Sequence, residues 1–380
     1  MQIIPFFNDF LQDIRLTPNQ KADLIRGHET LRDRLHADET LSSIIVETFL
    51  QGSYRRSTAV RPSGDKRADV DIIVVTNLDK SNVTPQEAID KFIPFVEKHY
   101  KGKYRIQGRS IGIELSYVDL DIVITSAPSE VDKDAYRLLS VTTDLALEDL
   151  ASTYDWRLVK AWTEPDIIKG ITILNEAARK EPEWKLQPLW IPDREADCWV
   201  ETHPLEQIRW TFAKNKLTNT HYVNVVKAMK WWRLQKLTTL KHPKGYPLEH
   251  MIGDCCPDGI LSVPEGVCRT LESIVARCQV NKLLQTVPEL PDRGVPSHNV
   301  WKRISQADFN AFYDQVVRYA KIAREALDAV TLKVQCEKWQ ELFGSKFPDA
   351  PEEQNSKSFS IGGGYSERKT ETVIGGGRFA

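Results

Sequence analysis

The chain has 380 residues, of which 41% are hydrophobic and 27% are charged, and its net charge is −2. The length allows two lobes, because single cores rarely grow beyond about 250–300 residues. The near-neutral charge excludes a globally basic surface for nucleic acid or an anionic membrane, so any nucleotide chemistry must come from a local site or a bound metal.

The sequence contains no recognisable targeting or membrane segment. The first ten residues, MQIIPFFNDF, lack the basic start and apolar core of a signal peptide. No stretch approaches the ~18–20 consecutive apolar residues of a membrane span. The six cysteines are irregularly spaced, unlike those of a small secreted domain. We therefore expect a cytoplasmic, reduced protein that does not contact a membrane.

Helices and strands alternate in the first part of the chain. The sequence TPNQ at residues 17–20 has the Thr, Pro and Gln of a capped helix start. Residues 42–50 are rich in Ile, Val, Thr and Phe and predict a strand that runs into a Gly-Ser pair. Further strands are predicted at residues 69–76 and, as one bent or two separate strands, at residues 110–125.

The pattern becomes helical after about residue 155, where several stretches have apolar residues at helical spacing. From about residue 348 the composition is polar, with two Gly-Gly-Gly tracts, which predicts a flexible tail. We therefore expect an α+β protein in three parts. These are a catalytic lobe with an N-terminal helix at residues 1–155, a helical lobe at 156–347 and a tail at 348–380.

Two carboxylates open an otherwise aliphatic strand. Because side chains alternate along a strand, Asp69 and Asp71 project from the same face, about 6–7 Å apart. The later stretch YVDLDIVIT contains Asp119 and Asp121, which again share a face, so that strand could supply a third carboxylate. Clustered carboxylates repel one another unless a proton or a cation neutralises them, and hard oxygen ligands suit Mg²⁺ or Mn²⁺. The pattern predicts a divalent metal site.

Gly52 and Ser53 supply the complementary half of the predicted site. A glycine lets the backbone approach a phosphate closely, and N–H groups at a helix start attract anions. A strand, Gly-Ser, a short helix and a strand opening with Asp-x-Asp would place a triphosphate between these donors and two metal ions. Such a pair of metals activates a hydroxyl and stabilises pyrophosphate, so the predicted reaction is nucleotidyl transfer. Each motif alone is common, and their ordered combination is what carries the prediction.

These motifs resemble those of the DNA polymerase β-like nucleotidyltransferases. More narrowly, the chain resembles the cGAS/DncV-like enzymes (CD-NTases), which make cyclic oligonucleotides in bacterial CBASS anti-phage signalling. Further support comes from the stretches AMKWWRLQK, KGYPLEHMI, PDRGVPSHNVWKRISQADFNAFYDQV and WQELFGSKFP. The resemblance implies a bilobal enzyme, in which a palm of mixed β-sheet and flanking helices precedes a helical lobe and the active site lies in the cleft.

The resemblance also implies roles for individual residues. The family's third carboxylate lies in a hydrophobic-Asp-hydrophobic-hydrophobic strand, which fits Asp121 and leaves Asp119 in reserve. Lys230 would reach the donor phosphates, and a base would stack on Tyr246. Gly245 departs from the family, which often has Ser there, and this puts a hydroxyl contact to the triphosphate in doubt. The predicted site comprises catalytic and metal-binding Asp69, Asp71 and Asp121 and substrate-binding Gln51, Gly52, Ser53, Lys230 and Tyr246.

A zinc site is a separate question. His250, Cys255, Cys256 and Cys268 resemble the His-Cys-Cys-Cys zinc knob of animal cGAS, but their position and spacing differ from structural-zinc patterns. Buried free cysteines are frequent in helical cores, so a purely structural role is the alternative.

We expect a metal-dependent synthase that makes a cyclic di- or trinucleotide second messenger from ATP, with or without a second NTP, and releases pyrophosphate. A downstream effector would act through the cyclic nucleotide. One alternative is a polymerase β-like transferase that modifies an RNA, a protein or a small molecule. Another is a non-catalytic nucleotide-binding module. The locally basic stretch YRRSTAVRPSGDKR could meet triphosphates, but no platform for duplex DNA is evident.

The tail ends in the sequence VIGGGRFA. A flexible Gly-rich end can thread a narrow enzyme channel and present its terminal carboxylate for adenylation. Some anti-phage operons of the family encode partners that resemble ubiquitin-activating and ubiquitin-conjugating (E1–E2) enzymes. The resemblance therefore implies an E1–E2-like conjugation partner at Ala380, with Phe379 as the anchor, and a merely solubilising end is the alternative.

Overall fold

The computed structural model describes residues 2–64, 66–128 and 187–351. The predicted boundary near residue 155 and the Gly-rich part of the predicted tail lie outside these residues. Within them, no helix combines the length and the apolar character that a membrane span requires.

The first lobe is built on a five-stranded mixed sheet. Its strands are β1 (Ile45–Gln51), β2 (Asp69–Thr76), β3 (Tyr104–Ile106), β4 (Ile111–Glu114) and β5 (Asp119–Ile124), in the order β1-β2-β5-β4-β3. β2 and β5 are parallel, and the other neighbouring pairs are antiparallel. The parallel register places Asp69 beside Asp119 and Asp71 beside Asp121. The sheet therefore brings all four predicted carboxylates to the start of two central strands.

Helices flank the sheet and then form the second lobe. They are α1 (Ile4–Asp13), α2 (Pro18–Ala37), α3 (Gly52–Arg55), α4 (Pro85–Asp90), α5 (Ile93–Tyr100), α6 (Pro204–Leu217), α7 (Tyr222–Lys236), α8 (Tyr246–Cys255), α9 (Val263–Leu284), α10 (Gln306–Asp328) and α11 (Leu332–Phe343). The predicted capped start of α2 is confirmed, because Thr17 and Gln20 satisfy each other's backbone N–H groups. This helix buries Leu24, Leu31 and Leu35 in the core under the sheet. The second core lies between the helices of the other lobe and includes the fully buried Trp232, Trp301 and Trp339.

Two segments pack with a different lobe from the one that the linear boundaries predicted. Helix α1 joins the second core, where the ring of Phe10 stacks on Phe343 with centroids 4.4 Å apart. A hairpin of β6 (Leu189–Asp193) and β7 (Cys198–Thr202) joins the first lobe. There Leu189 is buried with Phe49 and Ile73 on one face of the sheet. An apolar face packs against any matching surface that it can reach. Position in the sequence alone therefore did not show to which lobe either segment belongs.

Candidate active site

Both lobes line a cavity of about 490 Å³. The first lobe contributes the end of β1, the start of α3 and the start of β2, and the second contributes α7 and the start of α8. Seven of the eight predicted site residues line this cavity, namely Gln51, Gly52, Ser53, Asp69, Asp71, Lys230 and Tyr246. The eighth, Asp121, does not line the cavity. It lies on β5, beside Asp71 of β2. The fold therefore gathers residues that are up to about 195 positions apart in the sequence.

Asp71 lies at the centre of the carboxylate group. Its burial, together with the negative charges of Asp69 and Asp121, raises the pKa of Asp71 to about 7, although Arg56 and Lys230 act in the opposite direction. The pKa of Asp121 is also raised, first by burial and then by Asp69. The nearby cations therefore compensate the negative charge of these aspartates only in part.

The chemistry of this group fits Mg²⁺ or Mn²⁺. Three carboxylates offer hard oxygen ligands, and their mutual repulsion would be relieved by a divalent cation. Among the residues that the structure describes, no three carboxylate, imidazole or thiol groups already converge on one metal position. That is compatible with Mg²⁺, which usually binds one or two carboxylates together with water and substrate phosphates rather than a complete protein cage.

The partners of Asp119 and Asp121 distinguish these two aspartates. The carboxylate of Asp119 accepts a hydrogen bond from Arg67 Nε at 2.8 Å and forms an ion pair with that residue. Asp121 Oδ1 instead accepts a hydrogen bond from the neutral amide of Gln107 at 2.8 Å. Asp119 is thus already paired with a cation, whereas Asp121 adds its charge to the group around Asp71. This arrangement favours Asp121 as the third carboxylate.

Gly52 has a second role besides any approach to phosphate. Its φ of +77° lies in the left-handed region that favours glycine. A Cβ atom at this position would also overlap the carboxylate of Asp71. The glycine therefore makes room for the central carboxylate, which faces Gln51 across the β1–β2 pair.

Glu249 links the two lobes and was not among the residues predicted from the sequence. This buried side chain accepts hydrogen bonds from Arg56 Nε at 2.7 Å and from Thr58 Oγ1 at 2.8 Å. Lys230 Nζ lies 3.5 Å from the second carboxylate oxygen. Burial by itself raises the pKa of Glu249, but the charges of Arg56 and Lys230 and the two hydrogen bonds lower it to about 2. The carboxylate is thus ionised and fixes two cations at the cavity.

Glu249 and Arg56 also position Lys230 and Tyr246, the two residues of the second lobe that were predicted to bind substrate. Lys230 Nζ donates to the backbone oxygen of Thr58 at 3.0 Å, across the lobe boundary. The guanidinium of Arg56 lies 5.1 Å from the centre of the Tyr246 ring. On its other side, the hydroxyl of Tyr246 is 3.4 Å from His250 Nδ1. Lys230 contacts Glu249, Tyr246 contacts Arg56, and Arg56 and Glu249 form an ion pair. This ion pair therefore connects Lys230 with Tyr246.

The structure does not support the zinc hypothesis. Arg293 Nη1 lies 2.8 Å from His250 Nδ1, and burial together with Arg293 lowers the pKa of His250 to about 3. Cys255, Cys256 and Cys268 are buried free thiols, and they do not converge with His250 as a metal-binding group within the described ranges. They instead form part of the apolar core of the helical lobe.

Comparisons with known proteins agree with the geometry. Residues 1–128 match the Second Messenger Oligonucleotide or Dinucleotide Synthetase (SMODS) domain. Over 355 residues the chain is 47% identical to the cyclic AMP-AMP-GMP synthase of Enterobacter hormaechei subsp. hoffmannii (strain UCI 50), with 92% of each chain covered. It is 27% identical over 356 residues to the cyclic AMP-AMP-AMP synthase of Acinetobacter sp. (strain ATCC 27244 / 9458), covering 93% of this chain and 87% of that one.

A solved structure shares the fold. The Bradyrhizobium diazoefficiens CD-NTase CdnG, solved in complex with GTP, superposes with a TM-score of 0.63 and 14% identity, covering 90% of this chain and 94% of that one. The predicted mixed sheet with flanking helices and a helical lobe is confirmed. The chain therefore belongs to the cGAS/DncV-like nucleotidyltransferases, the enzymes that synthesise cyclic oligonucleotide second messengers from nucleoside triphosphates.

Proposed function

We propose that this enzyme joins two ATP and one GTP into cyclic AMP-AMP-GMP and releases pyrophosphate at each step. The observation that carries the proposal is the cavity that is lined both by Asp69 and Asp71 of one lobe and by Lys230 and Tyr246 of the other. The choice of product is supported by the 47% identity, over nearly the whole chain, to a synthase of that name. A more distant relative is also named as a trinucleotide synthase.

The protein's own residues would bind and orient the nucleotide. The backbone at Gly52 and the hydroxyl of Ser53 can approach the phosphates, and the ammonium of Lys230 supplies positive charge on the opposite wall. A base would stack on Tyr246, whose ring is held between Arg56 and His250. This arrangement would fix the α-phosphate near the carboxylates while the ribose hydroxyl of a second nucleotide approaches.

Asp69, Asp71 and Asp121 are the residues that would hold two Mg²⁺ ions, with Mn²⁺ as an alternative. When bound, the ions would activate the attacking hydroxyl and stabilise the pyrophosphate leaving group. Asp71 must first lose its proton, since its raised pKa keeps part of the population protonated near neutral pH. Ionised Glu249 meanwhile keeps Arg56 and Lys230 in place at the cavity.

The cellular setting is also part of the proposal. Six free cysteines are compatible with a reducing compartment such as the cytoplasm, where the NTP substrates are found. Family membership supports a role in anti-phage signalling, in which an effector would respond to the cyclic nucleotide.

We also propose that an E1–E2-like partner conjugates Ala380, which lies outside the described residues. The test is deletion of residues 375–380, which should leave synthesis by the purified enzyme unchanged. In cells that contain the partner, the same deletion should abolish high-mass conjugates. Conjugates that persist after the deletion would refute the idea.

An acceptor-free reaction tests the function itself. The enzyme is incubated with labelled ATP, GTP and Mg²⁺, and the product is treated with phosphatase. A synthase gives a phosphatase-resistant product, whereas a transferase for RNA, protein or a small molecule gives none until its acceptor is added. Asp69→Asn combined with Asp71→Asn should abolish the product without lowering the melting temperature, because it removes carboxylate repulsion. A resistant product from the double variant at the wild-type rate would refute the metal site.

A further inference from the structure

The carboxylate of Asp121 is held by a side chain from the turn between β3 and β4. Gln107, the residue after β3, donates from its amide nitrogen to Asp121 Oδ1 at 2.8 Å. A carboxylate has two oxygens, so a hydrogen bond to one of them fixes the rotation of the group while the other can serve as a metal ligand. The bond from Gln107 therefore fixes how Asp121 is presented beside Asp71.

Gly112 leaves the space that this hydrogen bond needs. It lies on β4, directly opposite Asp121 in the register of the β4–β5 pair. A Cβ atom at Gly112 would lie 2.5 Å from the amide nitrogen of Gln107 and 3.1 Å from Asp121 Oδ1. The first of these distances is too short for a real contact, so a larger residue would push the amide away from Asp121. The φ of Gly112 is not positive, so space and not backbone conformation accounts for a glycine here.

The turn that carries Gln107 is fixed in turn by the hairpin of β6 and β7. The backbone N–H of Arg194 donates to the backbone oxygen of Gly108 at 2.9 Å. Arg109 Nε donates to Oδ2 of the buried Asp193 at 2.7 Å. The turns of the two hairpins are thus joined on both sides of Gly108, and Gln107 reaches Asp121 from a backbone that is already held in place.

The donor to Asp121 is a neutral amide. Arg67 compensates the charge of Asp119, whereas the amide of Gln107 orients Asp121 without adding a positive charge. A carboxylate that is oriented and still carries its full charge is suited to bind a divalent cation, and carboxylate ligands of metals are commonly hydrogen-bonded in this way.

We propose that Gln107 is a positioning residue, which holds the carboxylate of Asp121 in the orientation that binds the catalytic metal. Gly112 belongs to the same arrangement, because it leaves the path open for the amide. Gln107 does not line the catalytic cavity, so it would act through Asp121 and not on the nucleotide. The inference rests on the proposed function, since it assumes that Asp121 is a metal ligand.

The test uses Gln107→Met, which keeps a side chain of similar length and removes the donor. Its matched control is Gln86→Met on α4. Gln86 donates to Asp90 Oδ1 at 2.7 Å and accepts from Arg194 Nε at 2.6 Å. The control therefore also breaks a hydrogen bond between a glutamine and an aspartate, and it loosens a contact to the β6–β7 turn, but it leaves the bond to Asp121 intact.

The main measurement is the affinity of the nucleotide-free protein for Mn²⁺, followed by electron paramagnetic resonance without turnover. Gln107→Met should weaken Mn²⁺ binding about tenfold or more, the usual effect of removing a partner that orients a metal ligand. It should raise the Mg²⁺ concentration that gives the half-maximal rate by a similar factor. Gln86→Met should change neither quantity. A residue with a purely structural role would lower the melting temperature without changing the metal affinity. An unchanged Mn²⁺ affinity in Gln107→Met, or an equal loss in Gln86→Met, would overturn the proposal.

Gly112→Ala tests the same bond while Gln107 is present. It should weaken Mn²⁺ binding to a similar extent. In combination with Gln107→Met it should cost little more than the more severe single change, because both substitutions remove the same hydrogen bond. Losses that add in full would refute the role of Gly112. If Gln107→Met does not fold, a normal Mn²⁺ affinity in Gly112→Ala would contradict the proposal.

Asp121→Asn separates failure of this inference from failure of the proposed function. If Asp121→Asn leaves the Mn²⁺ affinity unchanged, the metal site of the proposed function is refuted at this residue. If Asp121→Asn weakens Mn²⁺ binding and Gln107→Met does not, only the positioning role is refuted. If Gln107→Met weakens Mn²⁺ binding and the wild-type protein forms no cyclic product, only the proposed function is refuted.

Discussion

The carboxylate of Asp71 occupies the space that a side chain at Gly52 would need, since a Cβ atom there would lie 1.8 Å from Asp71 Oδ2. Gly52→Ala should therefore displace Asp71 and reduce product formation by orders of magnitude, since small displacements of catalytic groups have large effects on rate. It should also strain the backbone, because φ at this position is +77°. The rate of product formation and the melting temperature check both effects.

The matched control is Gly102→Ala. Gly102 has a similar φ of +71°, but a Cβ atom there would meet nothing within 4 Å. Both alanine variants should lose about 1–2 kcal/mol of stability from the left-handed backbone. The Gly52 variant should lose more, because its Cβ atom also overlaps Asp71, and only this variant should lose activity. Equal activities in the two variants would show that the contact between Gly52 and Asp71 is not needed.

The aspartates on β5 should differ sharply when each is replaced. Asp121→Asn removes a charge that lies beside Asp71, so it should lower the rate by orders of magnitude. Asp119→Asn removes a carboxylate that is paired with Arg67 at a partly exposed position, so it should have a much smaller effect. Steady-state rates at saturating Mg²⁺ make the comparison. The reverse ranking would mean that Asp119, and not Asp121, is the third carboxylate.

The sequence was most informative where the chemistry is local. The strand that starts at Asp69, the Gly-Ser turn after β1 and the capping box at Thr17 are each written in a few adjacent residues, and the structure contains all three elements. The short strand β3, Tyr104–Ile106, was not predicted, because three residues are too few for a strand pattern. Only the parallel register of β2 and β5 could show which aspartates are neighbours.

The protonation of Asp71 predicts how stability changes with pH. In the folded protein Asp71 has a pKa of about 7, against an ordinary value of 3.8, so the folded state holds this proton more tightly than the unfolded state. The contribution of Asp71 to the free energy of unfolding therefore becomes less favourable as the pH rises from about 4 to about 7, and it is constant above pH 7. In metal-free protein, Asp71→Asn should gain stability over the wild type across this window.

Denaturant unfolding in EDTA at pH 5, 6, 7 and 8 measures the difference in stability between Asp71→Asn and the wild type. Added Mg²⁺ should reverse the sign of this difference. Because the cation competes with the proton, added Mg²⁺ should stabilise the wild type more at pH 8 than at pH 6, and should stabilise Asp71→Asn little at either pH. A difference between the two proteins that does not vary with pH would contradict the raised pKa.

Glu249 should contribute more to stability than an exposed carboxylate with similar bonds. Glu249→Gln leaves Arg56 and Lys230 without their buried counter-charge, so it should destabilise the protein by about 3–5 kcal/mol. The control is Glu272→Gln, which breaks a partly exposed two-bond pair with Arg324 and should change stability by about 1 kcal/mol or less. Urea unfolding measures the loss of stability in both variants. Similar losses would show that Glu249 stabilises the protein no more than a partly exposed carboxylate does.

The contact between Arg56 and Glu249 also explains why part of the site could not be predicted. Arg56 and Glu249 are 193 residues apart, and neither stands in a pattern that indicates its partner. Contacts of this kind depend on how the two lobes close on each other, which periodicity along the chain does not record.

The central claim is that the cavity makes a cyclic trinucleotide, and a mass spectrum of the product tests it most directly. The purified enzyme is incubated with ATP, GTP and Mg²⁺ and no acceptor, and the phosphatase-treated products are analysed for mass and base composition. We expect a cyclic species with two adenines and one guanine that is absent with Asp69→Asn/Asp71→Asn. Only linear products, or no product from either NTP, would contradict the account.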